Sequence, residues 1–310
     1  MPVELLADIV ELLAEDASSL ANLALVNIDC RQMARSAQFV EVCFDYSITS
    51  RKLLLKLITE TASKSRGENN PSHGACICRV SMQSSREWII WAHNELYKSI
   101  WGGKETRESY TREQRGEVNR KAAQEYQQYR TPVLIAIYSA MPNLEAIAWK
   151  DAYQVDEAFI NWITHTPARH LKLARVPIEF AYLCAPPLTP PSLPLRSLYL
   201  DVHLAWKDED STDYKHEDYD DNTAEIERKP GQSRNLSVLT SSFLRLCSPT
   251  LESLTLKSMA AVSGKPVSIG SMTFPRLRHF CAKYMVLAPD ALTSILTFSL
   301  RELDLGSSCH

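Results

Sequence analysis

The sequence predicts a mixed α/β fold: a three-helix N-terminal unit, a helical and loop connector, and a parallel, curved α/β solenoid. Three observations lead there. A short apolar motif recurs six times from Leu144 onward. Residues 2–36 are crowded with leucines at helical spacing. The stretch between them mixes an apolar helix with long polar tracts. The predicted units are therefore 1–46, 47–131 and 132–310.

The recurring motif has the form Leu-x-x-Leu-x-Leu. Its copies are LEAIAW from Leu144, ARHLKL from Ala168, LRSLYL from Leu195, LESLTL from Leu251, LRHFCA from Leu277 and LRELDL from Leu300. Successive starts lie 24, 27, 56, 26 and 23 residues apart. Four of these steps fall in the window of about 20–29 residues expected for leucine-rich repeats. Each copy reads as a strand whose alternate apolar residues enter a core shared with neighbouring repeats. VDEAFINWITHTP, NLSVLTSSFLRLCSP and PDALTSILTFS read as the intervening helices. Asp156, Asn235 and Asp290 are expected near their starts as caps, and Pro167 and Pro249 where helices stop. The units lack the asparagine of regular leucine-rich repeats, so the solenoid is expected to be irregular. The 56-residue step is explained by an insertion at 207–232. Within it, residues 207–229 hold ten acids and four bases, which predicts a disordered acidic loop. The last strand motif is followed only by GSSCH, with no capping element, so a shortened product or incomplete gene is expected.

At the N-terminus, Leu5, Leu6, Ile9, Leu12 and Leu13 form a wide apolar stripe on a predicted helix, with Glu4, Asp8 and Glu11 largely outside it. Asp16, Ser18 and Ser19 supply a break with good capping chemistry. Leu20, Leu23, Ala24 and Val26 mark a second helix, and Met33, Ala34 and Ala37 a third. Phe39 to Tyr46 then alternates like a strand. Burying one leucine is worth roughly 1.5–3 kcal/mol, so so many on a unit this small require a cover. Either the downstream repeats or a partner supplies it.

PVELLADIVELL followed by SSLANLALVNIDCRQMARS resembles an F-box, in the variant common among fungal F-box proteins. The resemblance rests on the Pro-x-Glu-Leu-Leu start, Ile9 four residues after Leu5, and Leu20-x-x-Leu23-x-Leu25-Val26 with the following Cys30-Arg31. The chain departs from that family in having Met1 where a leucine usually precedes the proline. Gln32 and Met33 also stand near the position of its usual aromatic. The resemblance implies that the first helices dock on a Skp-type adaptor, which bridges to a cullin. It implies adaptor-facing or supporting roles for Pro2, Leu5, Leu6, Ile9, Leu20, Leu23 and Val26.

In the connector, Leu53, Leu54, Leu55, Leu57 and Ile58 predict a helix, and CICRVSMQ (76–83) a short buried strand. Trp88 to Trp91 starts a helical or interfacial stretch, and the polar run 102–130 reads as an exposed helix or connector. A net charge of -3 offers no global basic field for nucleic acid. The longest apolar runs, such as PVLIAIYSAM, reach about half of a membrane span. Eight scattered cysteines suit a reducing cytoplasmic or nuclear setting. No phosphate loop, nucleophile elbow or metal-ligand pattern is evident. Cys76-x-Cys78 has the wrong spacing for a zinc knuckle, and Pro167 separates His165 from His170. No catalytic residue, cofactor or metal is therefore expected. The F-box resemblance implies a non-catalytic substrate receptor of a ubiquitin ligase; a repeat scaffold outside any ligase is the alternative.

Overall fold

Side chains alternate along extended backbone, so a Leu-x-x-Leu-x-Leu unit sends its second and third apolar residues to one side of a strand. The computed structural model of the 310-residue chain describes residues 3–66, 72–84, 112–151, 155–178, 183–204, 232–257, 268–269, 272–285, 287–297 and 299–306. Every one of the six motif copies forms a strand: β3 (Ala146–Lys150), β4 (His170–Ile178), β5 (Ser197–Leu204), β6 (Ser253–Lys257), β7 (His279–Lys283) and β8 (Glu302–Gly306). Two more precede them, β1 (Glu41–Phe44) and β2 (Arg79–Gln83). All pair in parallel and in chain order, making one open eight-stranded sheet.

The register aligns the motif from strand to strand. Val42, Val80, Ile147 and Leu171 lie side by side and continue into Leu198, Leu254, Phe280 and Leu303. A second row runs from Phe44 and Met82 through Trp149 to Ala282 and Leu305. Up to β7 both rows are buried, and each large apolar side chain in them contributes roughly 1.5–3 kcal/mol. On β8, Leu303 and Leu305 remain 43% and 49% exposed.

Parallel neighbours need crossover segments, and most of these are helices. The first crossover is α4 (Ile48–Ser65), which follows three N-terminal helices: α1 (Val3–Leu12), α2 (Ala17–Leu23) and α3 (Ile28–Gln38). Next come α5 (Arg112–Ala140) before β3 and α6 (Glu157–Thr164) between β3 and β4. Then α7 (Gln232–Cys247) leads into β6 and α8 (Pro289–Ile295) into β8. Residues of α4 to α8 share one core with the strand rows.

Several expectations need correction. The sheet begins within the span assigned to the N-terminal unit and passes through the supposed connector, so the boundaries at 46 and 132 do not divide it. Residue 132 lies inside α5, whose interior carries Pro132. Residues 102–111 of the polar run lie outside the described residues, and its end is not simply an exposed helix: Tyr126, Tyr129 and Arg130 are buried, because α5 packs on α4 and the sheet. Tyr129 donates a hydrogen bond to Ser50 Oγ at 2.9 Å, joining α5 to α4. Asp156 caps α6 as expected, its carboxylate accepting from the Phe159 amide at 2.9 Å. Asn235 and Asp290 instead lie within α7 and α8, and Ala288 occupies the cap position of α8. Pro2, the stretch from Trp88 to Trp91 and residues 207–231 of the acidic insertion lie outside the described residues.

Two close contacts lock the first repeats together. The backbone of Gly74 rests against the end of α5, where an added Cβ would sit 2.1 Å from the Ala140 carbonyl oxygen. Only glycine permits that approach. Just past β3, the fully buried Asp151 accepts hydrogen bonds from the hydroxyls of Tyr126 and Ser84 and from the Trp149 indole N–H. Arg130 approaches the same carboxylate at 3.8 Å and Asp156 at 3.7 Å. Burial and the Asp151 charge together push the Tyr126 phenol well above its ordinary range. This network fastens α5 to β3 and to the start of α6.

Candidate docking face on the N-terminal helices

The three N-terminal helices are positioned by their caps. Asp16 accepts from the amides of Ser18 and Ser19 at 3.0 and 3.1 Å, which starts α2; the Ser19 hydroxyl at 2.6 Å, with these amides, holds its carboxyl below the usual range. Asn27 accepts from the Cys30 amide at 2.8 Å and starts α3. These turns let the helices fold back on one another around a small core of their own. Val10, Leu20 and Ala34 are buried there, with Leu13, Leu23 and Met33 packed around them. That core is separate from the one beneath the sheet.

The wide leucine stripe of α1 divides in two. Leu6 and Val10 turn inward, while Leu5, Ile9 and Leu12 point to solvent at 54%, 37% and 86% exposure. Their spacing of four and three residues puts them on one helix face. Around the turn into α3, Leu25, Val26 and Ile28 are also exposed, each by two thirds or more. Glu4, Asp8 and Glu11 are exposed beside the α1 face. The result is apolar surface with an acidic border, suited to an apolar groove with a basic rim.

Of the seven residues that the sequence singles out, Leu5, Ile9 and Val26 are exposed. Leu6 and Leu20 are buried beneath them, Leu23 is half-buried, and Pro2 lies outside the described residues. Sequence reasoning left Leu12, Leu25 and Ile28 out of that set. Leu12 follows Leu5 by seven residues, which is the signal that finds it; Leu25 and Ile28 flank the turn and have no periodic signal.

A cleft of about 780 Å³ separates α3 from the turn before β2, lined among others by Arg31, Arg35, Cys76 and Cys78. His73 at its edge is engaged with Glu60 and the Phe39 ring. Among the described residues no cluster of three histidine, cysteine or acidic side chains is placed to hold a metal. The thiols that shift do so upward through burial, Cys184 to about 11 and Cys247 to about 12, the opposite of an activated nucleophile. Among the described residues no helix is long and apolar enough to cross a membrane.

Fold and surface together define a mixed α/β protein with one parallel sheet in chain order and an apolar face on its leading helices. No protein-family model matches the chain, and no curated protein or solved structure matches it either.

Proposed function

We propose that the chain is the substrate-recognition subunit of a Skp–cullin–F-box ubiquitin ligase. Its N-terminal helices form the F-box and dock on the Skp-type adaptor. The eight strand repeats form an irregular leucine-rich-repeat solenoid that recruits a protein substrate. The observation that carries this reading is the solvent exposure of Leu5, Ile9 and Leu12 on a helix unit that already has its own core. Three large apolar side chains on one face are surface that a partner covers. The F-box resemblance of residues 2–36 names the partner. The chain then contributes proximity, holding a target lysine near the ubiquitin donor and raising its effective concentration.

The combined change Leu5→Asp, Ile9→Asp and Leu12→Asp tests the docking face. It is expected to abolish co-purification with a Skp-type adaptor while the circular dichroism spectrum stays that of the parent, because charge enters an apolar groove. Adaptor binding equal to the parent's would rule this face out. Leu6→Asp is a poor probe, since Leu6 is 5% exposed and a charge there is expected to destabilise the helix unit itself.

A repeat scaffold outside any ligase is the second reading. It is favoured by the contact of α3 with the Gly74–Cys76 turn, where Ser36 Oγ lies 3.7 Å from Cys76 Sγ. In that reading the helices serve as a cap on the first strand.

A further inference from the structure

The chain carries a net charge of -3, yet the open face of its sheet is basic between β3 and β7. The strand positions turned away from the core place Lys150 on β3, Lys172 on β4, Lys257 on β6 and Lys283 on β7. Arg175 is exposed at the irregularity where the β4 register shifts between Ala174 and Val176. Among the described residues at open-face positions of these five strands, Asp201 is the one carboxylate, and it is 5% exposed.

Among the described residues, two of these cations lie over aromatic rings and one is paired with a carboxylate. Lys172 lies over the Tyr199 ring at 5.2 Å and Lys257 over the Tyr284 ring at 5.6 Å. Lys283 has a carboxylate neighbour, Asp304 at 3.0 Å. Lys257 and Lys283 are register partners on adjacent strands, an arrangement in which like charges oppose folding.

Two unusual backbone positions fall on or beside the same strands. Arg175 and Tyr284 have φ of 54° and 58°, the left-handed region that side chains with a Cβ avoid. Tyr46 is the one other such non-glycine residue among those described. Strained backbone of this kind concentrates at functional sites, and an irregular strand position re-aims a side chain.

We propose that this face binds an acidic segment of a partner protein. The carboxylates of the segment meet Lys172, Arg175, Lys257 and Lys283, and its remaining atoms lie over Tyr199 and Tyr284. A peptide fits better than a nucleic acid. A long polyphosphate would also meet the overall negative field of the chain, whereas a short peptide meets only the face. The inference stands whether or not the N-terminal helices dock on an adaptor. Where both hold, the segment belongs to the protein presented for modification.

Fluorescence anisotropy of the full chain with a fluorescein-labelled peptide alternating glutamate and glycine tests it, alongside the same peptide with glutamine for glutamate. The acidic peptide is expected to bind more tightly, and to weaken as salt rises. The combined change Lys172→Gln, Lys257→Gln and Lys283→Gln is expected to weaken it about tenfold, while Lys52→Gln with Lys56→Gln on α4 leaves it unaltered. Lys172→Gln alone gives roughly a threefold loss and keeps the test intact should the triple variant misfold. Equal binding of the two peptides would overturn the proposal. So would equal weakening by the α4 changes, or tighter binding of single-stranded RNA than of the acidic peptide.

Discussion

Asp151→Ala is expected to lower the stability of the protein by about 3–5 kcal/mol, the cost typical of breaking a buried charged pair from one side. The side chain is fully buried, and its two oxygens serve Tyr126, Ser84 and Trp149, with Arg130 beside them. Removing the carboxylate deprives three buried donors of their acceptor at once. It also takes a negative charge away from a guanidinium that is itself 4% exposed. Urea unfolding followed by circular dichroism measures the loss as a lower midpoint with the same slope. A loss below about 1 kcal/mol would mean that the network is incidental to the joint between α5 and β3.

Phe280→Ala is expected to cost a comparable amount, about 3–5 kcal/mol, by a different mechanism. Phe280 is 1% exposed on β7, between Leu254 and Leu303 in the register row. Neighbouring strands hold the backbone in place, so the space the ring leaves cannot close. The two changes share no partner, and the double variant is expected to add within about 0.5 kcal/mol. A marked departure from additivity in urea unfolding would show that the two sites are coupled through the sheet.

Six strands were legible because each copy of the motif places apolar residues at its first, fourth and sixth positions. β1 and β2 follow the same rule with Phe39, Val42 and Phe44, and with Ile77, Val80 and Met82. Their alternation marks them as strands, but without leucines they do not declare themselves as repeats. The boundaries failed for that reason. Helix α5 was misread because its polar residues dominate the composition, while Tyr126, Tyr129 and Arg130 are buried by contacts distant in sequence. The leucines of α1 told of a helix but not of its orientation. Apolar residues at 5, 6, 9, 10, 12 and 13 cover too much of the circumference, and only packing against Leu20 and Ala34 decides which face is left bare. The basic face was not legible at all, since Lys150, Lys172, Lys257 and Lys283 are seen to share one face only once the register is known.

The receptor reading depends above all on what the N-terminal helices bind. Truncation is a clean probe only if it spares the sheet: β1 begins at Glu41, so removal of residues 1–38 leaves the first strand whole. The full chain and the 39–310 fragment are each co-expressed with a Skp-type adaptor and purified through a tag on the repeat protein. Adaptor retained by the full chain and lost from the fragment is the predicted result. Adaptor absent from both, or held equally by both, would contradict the account.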